Sequence, residues 1–356
     1  MGLMKNDSLT AAARAFSLGR FLSAEPWGNG HINDSYRVQY ATPDGVVHAL
    51  LQRINHRIFT NPQALMENVQ RVTDHISAKC AGHALLLQRT AEGGTLLLDA
   101  GGNYWRCFNF IPDVVSYEKV TSPAQAYQVG LAFGGFQREV ADLPAPRLNE
   151  TIPNFHHGPT RFAALEQAIA RDPAGRVASA LAEIDFALAR KPLTELLLNA
   201  GLPERITHND CKLNNVLLHQ ESGESVCVVD LDTVMPGLLA YDFGDMVRTA
   251  TCAAAEDETD LSLIHMEMET FAGLARGYLK STAGFITRDE KELLVSGGRF
   301  ITFLIGVRFL ADYLSGDTYF KIDHPRHNLD RCRTQFRLVA SIEKQQAEME
   351  RLIQSL

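Results

Sequence analysis

Short runs of alternating apolar and polar residues dominate the N-terminal part of the chain, and they predict β-strands. Tyr36–Tyr40 and Val46–Ile54 alternate in this way on either side of a turn at Thr42–Gly45. Further strands are predicted at Ala84–Arg89, Thr95–Asp99 and Tyr104–Phe110. The pattern therefore predicts a small β-sheet before about residue 110.

One helix interrupts these strands, and helices dominate the chain after about residue 120. Asn61 suits an N-cap, Pro62 suits the first helical position, and the helix is predicted to continue to about Lys79. Ser122 and Pro123 repeat this signature at the start of a helix that runs to about Val140. Other helices are predicted at residues 160–171, 177–190 and 194–199, and from Phe243, Thr259, Asp289 and Leu329 onward.

These elements predict an α/β (α+β) chain with two lobes. Residues 1–110 would form a small N-terminal β-sheet lobe with one main helix, and residues 111–356 a larger helical C-terminal lobe. The character of the sequence changes at Cys107–Asp113, which is therefore the expected hinge.

A polar stretch lies between short apolar runs in the C-terminal lobe. It carries His208, Asp210, Lys212 and Asn215, and the spacing H-x-D-x-K-x-x-N matches the catalytic loop of the kinase superfamily. In phosphoryl transfer, Asp210 would accept the proton of the attacking hydroxyl, and Lys212 would meet the charge of the transferred phosphate. A capped loop of solvated polar residues is the alternative, but it does not explain why these residue types occur together.

Two residues are predicted to hold Mg²⁺. Asn215 and Asp230 offer the hard oxygen ligands that this ion prefers, and Asp230 follows the apolar run Val226–Val229. Asp232 is a possible helper near the metal.

Asp242-Phe-Gly244 spells the metal-binding motif of protein kinases, but its setting differs. Asp242 opens a segment that is predicted to be helical, whereas the metal aspartate of kinases follows a strand. We therefore expect Asp242 to bind backbone amides or hold the catalytic loop.

These stretches resemble the aminoglycoside phosphotransferase and choline kinase superfamily. The resemblance is carried by His208-Asn-Asp-Cys-Lys-Leu-Asn-Asn-Val-Leu217, Asp230-Leu-Asp-Thr-Val-Met-Pro-Gly237 and Tyr241-Asp-Phe-Gly-Asp245. Within the superfamily the chain is similar to the N-acetylhexosamine 1-kinase group, through Gly30–Tyr36, Leu51–Asn55, Arg308–Phe320 and His324–Leu329. The resemblance covers most of the chain. It implies a bilobal, protein-kinase-like fold. It also implies ATP and Mg²⁺, and transfer to the anomeric 1-hydroxyl of an N-acetylhexosamine (GlcNAc or GalNAc).

The N-terminal lobe would bind the nucleotide. Glycines between two strands let the backbone close over phosphates, with nearby side chains as donors; the candidates are Gly28, Gly30, Asn33 and Ser35. Arg53 shares a strand face with Ala49 and Leu51, and we expect it to be the cation that meets the phosphates, with Gln52 on the opposite face. Glu67 on the following helix would hold Arg53 in an ion pair.

The acceptor pocket is predicted from the resemblance. Arg308 stands in an otherwise apolar helix, where a buried structural ion pair is the alternative, and the resemblance favours a role in sugar binding. His31 and Tyr319 are further candidates for the same pocket. His156 and His324 have neighbouring histidines and could be read as metal ligands. They have no cysteine or carboxylate partner at helical spacing, so we expect surface or hydrogen-bonding roles for them instead.

The net charge and the cysteine content exclude some classes of binding partner. The chain has 356 residues and a formal net charge of −8, which argues against nucleic acid or an anionic membrane as the main partner. Six cysteines without a C-x-x-C pair are typical of thiols in the cytosol, and we expect a cytoplasmic protein without a signal peptide or membrane span. A Walker-type NTPase is disfavoured because G-x-x-x-x-G-K-[ST] does not occur. The oligomeric state is left open.

Other functions share parts of this pattern. A choline, aminoglycoside, homoserine or methylthioribose kinase would share the catalytic loop, although a cationic acceptor would need clustered carboxylates or an aromatic cage. A protein kinase is disfavoured because no A-P-E stretch follows Asp230. A nucleotide-binding pseudokinase is disfavoured because Asp210, Lys212 and Asn215 are all present.

Overall fold

The contacts of the chain divide it into two compact units. The computed structural model describes residues 2–28, 32–79 and 84–356. Unit 1 comprises Met1–Val114, Asp142–Ile152 and Cys227–Met235, and unit 2 comprises Val115–Ala141, Pro153–Val226 and Pro236–Leu356. The first segment of unit 1 thus ends close to the predicted boundary at residue 110. Two later segments also belong to unit 1, and one of them carries Asp230.

Unit 1 contains an antiparallel sheet of five strands. They are β1 (Arg20–Pro26), β2 (Asp34–Thr42), β3 (Gly45–Ile54), β4 (Leu97–Leu98) and β5 (Tyr104–Asn109), in the order β1-β2-β3-β5-β4. The predictions for β2, β3 and β5 are confirmed, whereas β1 was not predicted. The strand predicted at Ala84–Arg89 is wrong, because that segment meets β5 only through the isolated bridge between Leu87 and Phe108.

Unit 1 also contains two helices. They are α1 (Gly2–Ala15) and α2 (Pro62–Lys79). Leu9 and Phe16 pack with Val38, Leu51 and Trp105, so the α1 segment covers one face of the sheet. The start of α2 is as predicted: the Ala64 N–H donates to the Asn61 side chain at 3.1 Å.

Unit 2 is mainly helical. Its helices are α3 (Pro123–Val140), α4 (Gly158–Arg171), α5 (Leu181–Ala189), α6 (Leu193–Leu196), α7 (Leu239–Ala250), α8 (Met268–Thr282), α9 (Arg288–Glu292), α10 (Leu294–Leu314) and α11 (His327–Ser355). Outside the five-stranded sheet, the chain forms the short strands β6 (Val114–Val115), β7 (Arg205–Thr207), β8 (Val216–His219), β9 (Ser225–Val228) and β10 (Met235–Gly237). Ser122 caps α3 as predicted. The helix expected from Thr259 begins only at Met268, because Asp260 caps a short 3₁₀ turn before it.

The α10 helix forms the centre of unit 2. Most of its residues are buried, and it contacts α4, α7 and α11. A Cβ atom on Gly244 of α7 would lie 2.3 Å from the Gly297 carbonyl oxygen, so this glycine permits the close approach of α7 and α10. By length and composition alone α10 could cross a membrane, but 83% of its apolar window is buried inside the protein, as in the core helix of a soluble domain.

Candidate active site

The predicted catalytic loop lies between β7 and β8 in unit 2. The Lys212 Nζ atom is 3.1 Å from the Asp210 Oδ2 atom. The Asn215 side-chain nitrogen donates to the same carboxylate oxygen at 3.2 Å and to the Asp210 carbonyl at 2.8 Å. Three of the residues that the sequence singles out therefore contact one another within a single loop.

The Asp210 carboxyl is held in its ionised form. Burial by itself raises the pKa of Asp210, but the charge and hydrogen bond of Lys212, together with the charges of other nearby cations such as Arg248, hold the pKa below its ordinary value. The carboxylate is partly exposed, with 24% of its side-chain surface accessible. Asp210 can thus accept a hydrogen bond from a substrate hydroxyl at neutral pH and orient it.

The backbone of the catalytic loop is fixed by Asp242. Its buried carboxylate accepts hydrogen bonds from the backbone N–H groups of His208 at 2.8 Å and Asn209 at 2.7 Å. The Gln137 side chain donates to it at 2.8 Å, and Tyr278 in turn donates to Gln137. The prediction that Asp242 holds the catalytic loop is confirmed.

His156 holds the same loop through a carbonyl group. Its Nε2 atom lies 3.1 Å from the Asn209 carbonyl oxygen, directly before Asp210, so this nitrogen carries the proton and donates. Burial, and then the charge of Arg308, lowers the pKa of His156 to about 3. The ring is therefore neutral, and its Nδ1 atom is buried without a hydrogen-bond partner in the described part of the chain. The expectation of a hydrogen-bonding histidine holds for His156.

Asp230 lies in unit 1, at a bend after β9. Its backbone is in the left-handed region, with φ 61° and ψ 61°, and its side chain is exposed. This conformation is uncommon for residues other than glycine, although aspartate adopts it more often than most. A 3₁₀ turn, Leu231–Thr233, comes directly after it.

Asp232, two residues later, is buried, and both of its carboxylate oxygens are bonded. One carboxylate oxygen forms an ion pair with Arg106 of β5, and the other accepts a hydrogen bond from the Asn33 side chain at 2.6 Å. With both oxygens bonded, Asp232 anchors the turn after Asp230. The idea that it assists at the metal is replaced by this structural role.

The face of the sheet that meets Asp232 carries Gln52 and not Arg53. Arg106 donates to Gln52 at 3.0 Å, and Gln52 donates to the Ser35 hydroxyl at 2.9 Å. Arg53 lies on the opposite face, where it pairs with Asp34 at the surface. Arg53 therefore does not lie on the sheet face that contacts Asp232, and its contact with the nucleotide phosphates stays a prediction.

The predicted ion pair between Arg53 and Glu67 is wrong. The exposed Glu67 side chain accepts a hydrogen bond from Asn149 at 3.1 Å instead. The neighbouring Asn68 is buried, and it donates to the carbonyl groups of Asn149 at 2.8 Å and Val234 at 3.0 Å. Asn68 is thus the α2 residue that contacts the segment carrying Asp230.

The predicted phosphate-covering loop is described only in part. Gly28 is exposed at φ 76°, a conformation that suits glycine. Gly30 and His31 lie outside the described residues. Asn33 also accepts a hydrogen bond from the Asn55 backbone N–H at 2.9 Å, so Asn33 and Ser35 both belong to the polar network around Arg106.

Arg308 lies against an aromatic wall in unit 2. Its guanidinium carbon is 5.1 Å from the ring centre of Phe155, 5.7 Å from that of Tyr319 and 5.5 Å from that of Phe320. Burial lowers the pKa of Arg308 to about 10. Within the described ranges Arg308 has no carboxylate partner, so the alternative of a buried ion pair does not apply. Tyr319 is 54% exposed.

Comparison with known proteins identifies the family. The model of the phosphotransferase enzyme family (APH) matches residues 23–277, which is more than half of the chain. The chain belongs to this family. The match includes Asp210, Lys212, Asn215 and Asp230.

Solved structures share the fold of this phosphotransferase across nearly its whole length. The microcompartment-associated aminopropanol kinase has a TM-score of 0.61 at 13% identity, covering 98% of this chain and 99% of that chain. An aminoglycoside phosphotransferase from Alicyclobacillus acidocaldarius has a TM-score of 0.64 at 12% identity, covering 98% and 96%. Spectinomycin phosphotransferase APH(9)-Ia, in complex with ADP and spectinomycin, has a TM-score of 0.60 at 12% identity, covering 98% of each chain. The predicted kinase-like fold, with a sheet-based N-terminal lobe and a helical C-terminal part, is confirmed.

Several residues of this phosphotransferase's network were missed from the sequence. Arg106 was detectable, because a single charge within the apolar strand Tyr104–Asn109 requires a buried partner. Gln137 and Asn68 are polar residues on helices that gave no comparable signal. Their partners lie far away in the chain, and only the fold brings them together.

Proposed function

We propose that this phosphotransferase is a cytoplasmic small-molecule kinase that uses ATP, and that its acceptor is an N-acetylhexosamine phosphorylated at the anomeric 1-hydroxyl. The observation that carries the kinase assignment is the catalytic loop. There Asp210 lies beside Lys212 and Asn215, on a backbone fixed by Asp242. The structural relatives in complex with ADP and AMP support the use of ATP.

The roles follow from charge and geometry. Asp210 accepts the hydrogen bond of the attacking hydroxyl and takes its proton as the bond to phosphorus forms. Lys212, paired with this carboxylate, offers its charge to the transferred phosphate. Because phosphoryl transfer asks for little covalent participation by the protein, positioning and charge account for most of the catalysis.

The proposed metal ligands fit Mg²⁺. The Asn215 nitrogen donates to Asp210, which leaves the amide oxygen to serve as a ligand. Asp230 supplies an exposed carboxylate. Across the described residues no group of three His, Cys, Asp or Glu side chains is arranged to hold a metal, but Mg²⁺ in kinases uses one or two side chains together with substrate phosphates. When bound, the ion would neutralise charge that develops on the phosphates.

The aromatic wall around Arg308 supports a neutral acceptor. Among the described residues no carboxylate pairs with Arg308, so its guanidinium repels an ammonium group and offers donors to hydroxyl or acyl oxygens. The aminopropanol, choline and ethanolamine kinases among the structural relatives are named for acceptors that carry a positive charge. A kinase for one of these amines is the second candidate, and the relatives' names are the observation that favours it.

The test is a coupled ADP-release assay with purified enzyme over neutral sugars and amines. We expect turnover with N-acetylhexosamines and with 6-deoxy analogues, but none with 1-O-methyl glycosides, which lack the attacking hydroxyl. Asp210→Asn should retain ATP binding and lower kcat by about 10²–10⁴, the usual scale for a general base.

Other outcomes are informative. Phosphorylation of a methyl glycoside would overturn the 1-kinase assignment and leave the assignment of a small-molecule kinase in place. Turnover with choline or an amino alcohol alone would establish the second candidate. An Asp210→Asn enzyme with wild-type turnover would remove Asp210 from the proposed role.

A further inference from the structure

Asp312 lies one helical turn after Arg308 on α10. Residues spaced in this way share a helix face, and an arginine and an aspartate at this spacing can form an ion pair. These two do not pair. The Asp312 side chain is only 6% exposed, so its charge must be satisfied inside the protein.

The Asp312 carboxylate is satisfied by the loop after α10. One oxygen accepts the backbone N–H groups of Thr318 and Tyr319, both at 2.9 Å. The other accepts the backbone N–H of Phe320 at 3.0 Å and the side-chain nitrogen of the buried Asn328 at 3.0 Å. Four N–H donors therefore surround this carboxylate, and they stabilise its negative charge.

The same loop is also held by its aromatic rings. Tyr319 and Phe320, whose N–H groups bind Asp312, place their rings against the Arg308 guanidinium. One face of α10 thus fixes the loop in two ways. The Asp312 carboxylate binds the backbone of the loop, and the Arg308 guanidinium contacts its aromatic rings.

A second aspartate stabilises the turn. Asp317 adopts φ 60°, forms an ion pair with Arg176, and accepts a hydrogen bond from Asn328 at 2.9 Å. Asn328 therefore bridges Asp312 and Asp317. The turn has its own supports, so losing Asp312 should displace the segment at Tyr319 without unfolding the protein.

We propose that Asp312 is a positioning residue for acceptor recognition, acting through Arg308. Because the Asp312 carboxylate binds the loop amides, it fixes the Tyr319 ring against Arg308 and does not pair with the Arg308 guanidinium. Arg308 then keeps its charge and donors for the oxygen atoms of the acceptor. This inference rests on the proposed function, since it takes Arg308 as an acceptor-binding residue.

The test compares Asp312→Ala and Asp312→Asn with a matched control, Glu343→Gln. Glu343 is also a partly buried carboxylate of unit 2, but its partner is Arg190, on α5's C-terminal side. We expect Asp312→Ala to raise the acceptor KM about tenfold or more, the scale for losing hydrogen bonds to a charged group. Asp312→Asn, which keeps one acceptor oxygen, should show a smaller increase. The ATP KM and the kcat at saturating acceptor should stay within about twofold of wild type, and Glu343→Gln should leave all three values unchanged.

Coupling between the two sites distinguishes positioning from general stability. In an Arg308→Ala background, adding Asp312→Ala should raise the acceptor KM no further, because the route through Arg308 is already lost. Thermal unfolding of every variant shows that each is folded at the assay temperature.

The results separate this inference from the proposed function. If Arg308→Ala leaves the acceptor KM unchanged, the proposed acceptor site is wrong and the inference falls with it. If Arg308→Ala raises the acceptor KM but Asp312→Ala and Asp312→Asn do not, only the inference is overturned. It is also overturned if the Asp312 substitutions raise the KM values of ATP and acceptor equally, or if their effect persists without Arg308.

Discussion

Both units bury a carboxylate close to residues of the proposed chemistry, but they satisfy it in different ways. In unit 1, Asp232 is bonded by side chains, through an ion pair with Arg106 and a hydrogen bond from Asn33. In unit 2, Asp242 is bonded largely by the backbone, through the N–H groups of His208 and Asn209. One arrangement joins two side-chain charges, and the other gives a loop its shape.

Whether a buried carboxylate is bonded by a cation or by backbone amides decides which positively charged side chains remain available for the reaction. An ion pair such as Arg106–Asp232 neutralises its cation, so Arg106 acts as a link between a strand and the Asp230 segment. A carboxylate that is bound by backbone amides needs no cationic side chain as its partner. Lys212 therefore stays beside Asp210, while Asp242 holds the backbone of the same loop.

The largest effect is expected where a carboxylate holds the backbone. Asp242→Ala leaves two buried N–H groups and the Gln137 amide without their acceptor, so the free energy of unfolding should fall by about 3–6 kcal/mol. Urea unfolding measures this change, and kcat should fall with it because the Asp210 backbone loses its support.

Asp230→Ala provides the contrast for this substitution. Asp230 is exposed, so its removal should lower the free energy of unfolding by less than the removal of Asp242 does, but it should abolish Mg²⁺-dependent turnover. If Asp230→Ala destabilised the fold and Asp242→Ala removed only the metal dependence, the two roles would be reversed.

A similar but smaller loss is expected in unit 1. Arg106→Met leaves Asp232 buried without its cation, which should lower the free energy of unfolding by about 3–5 kcal/mol. Arg53→Met is the matched control, because Arg53 pairs with Asp34 at the surface, and it should cost less than about 1 kcal/mol. Urea unfolding of both variants decides the matter, and equal losses would contradict the distinction between the two sheet faces.

The smallest effect concerns His156 and depends on pH. Its folded pKa of about 3 lies below the ordinary 6.5, so its contribution to stability is present above pH 6.5 and is lost as pH falls towards 3. Near pH 5 this loss should be about 2 kcal/mol relative to neutral pH. His156→Gln removes the titrating group, so urea unfolding at the two pH values should show that much less pH dependence in the variant. Equal pH dependence would mean that His156 is not buried as a neutral ring.

The sequence alone determined the features that depend on near neighbours in the chain. Asp210, Lys212 and Asn215 are separated by few residues, so one short loop brings them together whatever surrounds it. The starts of α2 and α3 follow from an Asn-Pro and a Ser-Pro pair, because capping is a local interaction.

Only the tertiary structure decided which distant groups meet. Alternation along β3 put Arg53 and Gln52 on opposite faces, but the choice between the faces came from α1 on one side and Asp232 on the other. Likewise, Arg308 and Asp312 lie one helical turn apart and are close enough in sequence to pair, whereas Asp312 binds the loop after α10. A buried charge takes whichever partners the fold brings within hydrogen-bonding distance, and sequence spacing does not determine which partners those are.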